Sequence, residues 1–188
     1  MTVLTTLNLD AVHLTDDQFY QLCQNNRDLK FERTAKGVLI IMAPIGGESG
    51  NREAGLIGSL WFWNEQFQQG VVFSSSTGFK LPNGAVRSPD AAWIKRERWE
   101  ALTSQQRQKI PPIAPDFVIE LRSATDDLET LQEKMPEYID NGVRLGWLIN
   151  PQDQQVEVYR QGREVEVLNF PIESSGEDVL PGFTLRLA

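Results

Sequence analysis

Residues 117–149 read FVIELRSATDDLETLQEKMPEYIDNGVRLGWLI, and this stretch decides the fold. Phe117–Leu121 is a short apolar strand interrupted by one carboxylate, Glu120. From about Thr125 to Asp140, Leu128, Leu131, Met135 and Tyr138 recur at helical spacing, and Asn141-Gly142 is a strong helix stop. Val143–Ile149 returns as a buried strand. A strand–helix–strand unit of this kind predicts a parallel pair inside a mixed sheet.

On the C-terminal side, Asn150-Pro151 starts a turn and Val156, Val158 and Tyr159 form the next strand. Short strands at Glu164–Leu168 and Thr184–Leu187 finish the chain. On the N-terminal side, residues 14–27 read as a helix opened by Thr15, with Phe19, Leu22 and Cys23 on one face. A strand pair follows at Leu29–Arg33 and Gly37–Met42, broken by Pro44-Ile45-Gly46-Gly47. Residues 49–68 are the clearest helix, and its aromatic cluster Trp61-Phe62-Trp63 reads as core packing rather than a base-stacking platform. Strands at Val71–Ser74 and Gly78–Leu81 precede the turn Pro82-Asn83-Gly84, which feeds one strand from Ala85 to Ile94. Residues 96–108 read as a polar helix ended by Ile110-Pro111-Pro112. No repeat, low-complexity tract or long linker divides the chain. The expectation is one α+β domain over residues 1–188, a mixed sheet flanked by helices with its core at about 15–160 and C-terminal strands over 161–188.

Composition narrows the chemistry. The chain has 188 residues, 40% hydrophobic and 23% charged, a globular balance that needs no disulfide staples. A single cysteine, Cys23, excludes an internal disulfide and a thiolate cage, and a single histidine, His13, excludes a zinc site of several imidazoles. A metal here would be hard and held by carboxylate oxygens, which means Mg²⁺ or Mn²⁺. No apolar run approaches the length of a membrane span, and Met1–Asp10 lacks the form of a signal peptide, so the expected compartment is the cytoplasm. The formal net charge of −8 argues against a broad basic footprint for nucleic acid. Residues 87–109 nevertheless carry six basic against three acidic residues, a local basic face that would suit a polyanion as well as a solvated helix.

Three features carry chemistry: Asp90 in Ser88-Pro89-Asp90 at a strand entry, Glu120 with Arg122 two positions on, and Lys134 on the helix leaving that strand. Two carboxylates on adjacent strands can share one Mg²⁺, which polarises a phosphate and lowers the pKa of water, while a neighbouring cation steadies the developing charge. Asp116 also follows a proline, but it lies about 13 Å along the same strand from Glu120, too far for one ion to bridge. Asp90, on another strand, can approach Glu120 sideways at about 5 Å. Taken singly, Asp90 also reads as a turn residue, Glu120 as protection of a strand edge, and Lys134 as a solvated helix residue.

Ser88-Pro89-Asp90-Ala91-Ala92-Trp93-Ile94, Pro115-Asp116-Phe117-Val118-Ile119-Glu120-Leu121-Arg122-Ser123, Lys134 with Tyr138, and Asn141-Gly142-Val143-Arg144-Leu145-Gly146-Trp147-Leu148-Ile149-Asn150-Pro151 together resemble the Uma-two family of restriction-endonuclease-like proteins. The resemblance runs from about Thr15 to Arg160. It implies the PD-(D/E)xK nuclease fold, with Asp90 and Glu120 as metal ligands. The lysine normally two residues after the glutamate is here Arg122, and the resemblance implies that Lys134 takes its role. It further implies a glutamate from the helix opened by Gly47-Glu48-Ser49, matched by Glu48 with Glu53 in reserve, to orient Lys134 or a second metal. Arg122 supplies fixed positive charge only, because a guanidinium does not deprotonate.

The expected function is a Mg²⁺- or Mn²⁺-dependent endonuclease hydrolysing DNA phosphodiester bonds, with a homodimer able to form a local basic channel. The competing expectations are a non-catalytic binding or regulatory module on the same scaffold, and a phosphodiesterase acting on another substrate.

Overall fold

The computed structural model describes residues 5–9, 12 and 14–187; His13 lies outside them. Three sheets organise the described residues. The N-terminal part contributes β1 (Thr5–Leu7), α1 (Asp16–Asn25), β2 (Lys30–Arg33), β3 (Leu39–Met42), α2 (Gly47–Phe67) and β4 (Gly70–Ser74). Then come β5 (Phe79–Lys80), β6 (Val86–Arg87), β7 (Ala91–Lys95), α3 (Arg96–Glu100), α4 (Ser104–Gln108) and β8 (Phe117–Leu121). The chain ends with α5 (Leu128–Asp140), β9 (Leu145–Asn150), β10 (Gln155–Arg160), β11 (Glu166–Asn169), β12 (Ile172–Ser175) and β13 (Thr184–Leu187). The six-stranded sheet runs β11-β10-β9-β8-β7-β4, a five-stranded sheet runs β1-β3-β2-β6-β5, and β12 pairs with β13. In the six-stranded sheet only β8 and β9 are parallel, the pair that the crossover helix α5 requires. No described helix is long and apolar enough to cross a membrane.

Alternation along the central strands assigns their faces. Phe117, Ile119 and Leu121 of β8, with Ala91 and Trp93 of β7, join Leu56, Leu60 and Trp63 of α2 in one core. Leu180 and Phe183 from the C-terminal segment pack into that same core. Val118 of β8, with Ala92 and Ile94 of β7, joins Met135, Tyr138 and Ile139 of α5 on the opposite face. Met135 and Tyr138 are fully buried, each such apolar body contributing roughly 1.5–3 kcal/mol. Gly146 on β9 makes the close contact possible: a Cβ there would stand 2.6 Å from the Met135 terminal methyl. Even-numbered positions of β7 and β8 therefore face α5, and Glu120 and Asp90 share that parity.

Several expectations are corrected. The strand expected over Ala85–Ile94 is two strands in two sheets, with Ser88-Pro89-Asp90 carrying the chain between them. Pro89 has no N–H for a central ladder, and β7 is flanked on both sides. The polar helix expected over 96–108 is two short helices, because Thr103 and Gln106 form a capping box that starts a new one. Of the aromatic cluster, only Trp63 enters the core; Trp61 and Phe62 are 54% and 63% exposed. Residues 62 and 61 lie about 100° and 200° round the helix from Trp63, so one buried stripe cannot take all three. The strands β1 and β12 were not expected from the pattern. The helix opened by Thr15 forms as expected, through a capping box with Gln18.

Candidate active site

Asp90 stands immediately before β7 and Glu120 is the penultimate residue of β8. Ala91 is opposite Ile119 and Ala92 opposite Val118, so the antiparallel register, continued by one step, sets Asp90 against Glu120. The Leu121 amide donates to Asp90 Oδ2 at 2.7 Å, which ties the bend to the end of β8. Both acids line a cavity of about 620 Å³ that also reaches Lys30, Glu53 and Lys134.

Lys134 and Tyr138 sit one turn apart on α5 and meet on one carboxylate oxygen. Lys134 Nζ is 2.8 Å from Glu120 Oε1, and the Tyr138 hydroxyl donates to that oxygen at 2.8 Å. The ammonium also lies 2.8 Å from Oε1 of Glu32. Glu32 is only 3% exposed and comes from β2 in the other sheet. Arg33 pairs with Val86 across β2 and β6, which brings Glu32 beside the Arg87–Ser88 segment. The Ser88 amide donates to Glu32 Oε1 at 2.8 Å, and Arg87 Nη1 reaches Glu32 Oε2 at 3.1 Å. Arg87 Nε then donates to Glu137 Oε2 at 2.5 Å. Sequence reasoning missed Glu32. An isolated acid within Lys30-Phe31-Glu32-Arg33 carries no signal for a partner about a hundred residues away.

Electrostatics divide the acids into two kinds. Burial opposes the charges of Lys134 and Glu32, but each is overruled by its partners. Glu120 and Glu32 hold the Lys134 ammonium above the ordinary lysine range. Lys134 and Arg87 hold the Glu32 carboxyl below the ordinary carboxylate range. Asp90 behaves oppositely. Burial and the charge of Glu120 push its carboxyl up to about 7, more than the Leu121 amide, Lys134 and Lys30 offset. Burial and Glu120 also raise the Tyr138 hydroxyl well above its ordinary range. Lys134 is thus a fixed cation near neutrality, while Asp90 and Glu120 are like charges forced together.

That tension bears on metal binding. No group of three or more His, Cys, Asp or Glu side chains among the described residues is arranged for an ion. The Asp90–Glu120 pair still fits Mg²⁺, which keeps several waters and takes one or two carboxylates. The donor set is all oxygen, and Glu120 Oε2 and Asp90 Oδ1 stand outside the hydrogen bonds made among the described residues. Lys134 and Arg87 stand against Glu32, Asp90, Glu120 and Glu137, an excess of two negative charges when all are ionised.

The other candidates lie elsewhere. Arg122 follows the last residue of β8, where strand alternation no longer directs it, and reaches Asn150 Oδ1 at 3.3 Å and Asp153 Oδ2 at 3.1 Å. Glu48 is exposed in the first turn of α2 and does not line the cavity, whereas Glu53 does. Five residues turn a helix by about 140° beyond a full turn, so the two glutamates face different ways. Asp116 is buried at the other end of β8, accepting from the Lys95 amide at 2.8 Å and pairing with Arg98 at 2.9 Å.

A solved structure described as a putative nuclease belonging to DUF820, from Anabaena variabilis, superposes with a TM-score of 0.75 at 20% identity, covering 92% of this chain and 94% of that one. That likeness establishes the restriction-endonuclease-like α+β fold. No curated protein matches the chain. The family Uma2, described as putative restriction endonuclease, matches residues 16–188, and the chain belongs to it.

Proposed function

We propose that the protein is a metal-dependent endonuclease that hydrolyses DNA phosphodiester bonds, with Asp90 and Glu120 as ligands of Mg²⁺ or Mn²⁺ and Lys134 as the catalytic cation. The observation that carries this reading is the Lys134 ammonium held 2.8 Å from Glu120, the acid that faces Asp90 across the strand pair, at the edge of an open cavity. Family membership supports the same chemistry.

A divalent ion held by the pair supplies Lewis-acid stabilisation of phosphate charge and activation of water. The protein's own groups do the positioning. An ammonium has three donors, and Glu120 and Glu32 occupy two of those on Lys134. The third is available to a phosphate oxygen or an attacking water. Because its partners keep it protonated, Lys134 acts as a donor and fixed charge, not as the base. Glu32 and Tyr138 hold Lys134 and Glu120 in register, and the Leu121 amide aims Asp90. Glu53 takes the helix-glutamate position on the cavity wall, in place of Glu48.

Nicking of supercoiled plasmid tests the reading. Wild type is expected to nick with Mg²⁺ or Mn²⁺ and not with EDTA, and Asp90→Asn and Glu120→Gln to lose the activity. Equal absence of nicking in wild type and Asp90→Asn counts against catalysis. A second reading, a non-catalytic module, draws on the acid excess around the cavity, which repels bare polyanions. Calorimetry separates the two, since a module without a metal centre gives no Mg²⁺ or Mn²⁺ heat at millimolar concentration.

A further inference from the structure

A second cavity, of about 550 Å³, adjoins the first, and Asp28, Lys30 and Ser88 line both. Its charge is opposite in sign. The first cavity is lined by eight carboxylates against three cations, whereas the second has Arg27, Lys30 and Lys109 against Asp28 alone. Neither Arg27 nor Lys30 forms an ion pair with a carboxylate among the described residues; Arg27 hydrogen-bonds only to Gln24 there. Lys109 pairs with Asp17 at 2.8 Å, and its Nζ stands 5.6 Å from the centre of the Tyr20 ring. Tyr20 and Ile110, both half-buried, give the wall an apolar surface beside those cations, backed by buried Phe19 and Phe31.

Such a pairing of loose cations with an aromatic and apolar wall suits a phosphate with a base attached, the combination that single-strand binders use. Size narrows the ligand further. A space of 550 Å³ is about 8 Å on a side, too small for a stack of base pairs. It admits one nucleotide out of its stack. Continuity narrows it again, because Lys30 belongs to both cavities and its charge already acts on Asp90.

We infer that this cavity is a nucleotide subsite, taking one unpaired nucleotide adjacent to the scissile phosphate, its phosphate against Arg27 and Lys30 and its base against Tyr20 and Ile110. The inference rests on the nuclease reading for the word scissile, and it adds a substrate class: single-stranded or overhanging DNA rather than continuous duplex.

Binding measured without turnover tests it. Fluorescence anisotropy in EDTA compares a labelled single-stranded 12-mer with a blunt hairpin of the same length, for wild type, Arg27→Ala, Lys30→Ala, Tyr20→Leu and Asp90→Asn. The single strand is expected to bind more tightly than the hairpin. Tyr20→Leu is expected to weaken it roughly fivefold or more, and the two cation variants to weaken it and flatten its salt dependence. Asp90→Asn removes an acid that faces the phosphate and is expected to bind at least as tightly as wild type. Arg27 is exposed and bonded only locally, so its substitution reports binding even if Tyr20→Leu fails to fold. Equal binding of hairpin and single strand, or no single-strand binding by wild type, overturns the subsite. Unchanged binding by Arg27→Ala and Lys30→Ala, with Asp90-dependent nicking intact, overturns the subsite and leaves the nuclease reading standing. Weakened binding in those variants, with no metal-dependent cleavage by any protein, upholds the subsite and removes the nuclease reading.

Discussion

The Nζ of Lys134 lies 2.8 Å from Oε1 of Glu32, a carboxylate carried by the other sheet. The same Glu32 oxygen accepts from the Ser88 amide, two residues before Asp90. One side chain thus ties the Lys134 ammonium on α5 to the segment that delivers Asp90, and the two sheets share one cavity.

Glu32→Gln keeps the shape and removes the charge. The expected outcome is a fall in kcat of about tenfold or more at nearly unchanged KM, since the lost interaction orients groups rather than binds substrate. Removing one partner from a buried ionic network also costs about 3–5 kcal/mol of stability, read as a lowered urea midpoint. The double variant Glu32→Gln/Lys134→Met should lose less than the sum of the single losses, because either change alone already breaks the Glu32–Lys134 pair, while Arg87 keeps Glu137 and Glu120 keeps Tyr138. Additive losses would mean that the two side chains do not act on each other.

Tyr138→Phe isolates the hydroxyl that Glu120 Oε1 accepts. The ring stays buried and only one hydrogen bond is lost, so stability should drop by about 1–2 kcal/mol. If Glu120 ligates the ion as proposed, the Mg²⁺ affinity measured by calorimetry shifts at the same time, because the group orienting that carboxylate has been removed. A stability loss with no change in metal affinity would make Tyr138 a packing residue only.

Arg122 and Glu48 provide the contrast. Arg122→Ala breaks contacts to Asn150, Asp153 and the Asp126 carbonyl at the strand end and should leave nicking within about twofold of wild type, at a stability cost of about 1–3 kcal/mol. Glu48→Ala, on the exposed turn of α2, should be equally mild, while Glu53→Ala on the cavity wall should slow nicking. Plasmid assays on the three variants under identical Mg²⁺ decide this ordering.

The contrast also marks how far the sequence can be read. Glu120 is legible because strand alternation is local, so an acid inside Phe117–Leu121 must face one side, and Asp90 is legible because an acid on a neighbouring strand can come within about 5 Å of it, whereas Asp116 on the same strand cannot. Lys134 is legible as a helix residue one turn before Tyr138. Glu32 is not, because its place depends on one pairing between β2 and β6, Arg33 with Val86, and nothing in either segment names the other. Two-residue spacing reads Arg122 onto the face of Glu120, but β8 ends at Leu121 and alternation stops there, and Glu48 stands at a different angle round α2 from Glu53, which lines the cavity. Ser88-Pro89-Asp90 reads as the middle of a strand until the two-sheet architecture requires a crossing there.

Asp90 sets a pH dependence that the proposed metal site would share. In the metal-free protein its carboxyl titrates at about 7, above the ordinary value near 3.8. Between those values the folded chain holds a proton that the unfolded chain has lost, so this group's contribution to stability falls as pH rises from about 4 to about 7 and is flat above. Glu32 acts in the opposite sense: its carboxyl lies below the ordinary range, so its contribution is present above that range and is lost as pH falls through the lowered value. Urea midpoints of the metal-free protein should therefore decline from mildly acidic pH toward neutrality, and Asp90→Asn should flatten that decline. Metal binding requires the carboxylate, so Mg²⁺ should displace about half a proton per site at pH 7 and almost none at pH 9. Calorimetry in two buffers of different ionisation enthalpy measures this release directly. A release that is the same at both pH values, or that persists in Asp90→Asn, would place the titrating group and the metal somewhere other than the Asp90–Glu120 pair.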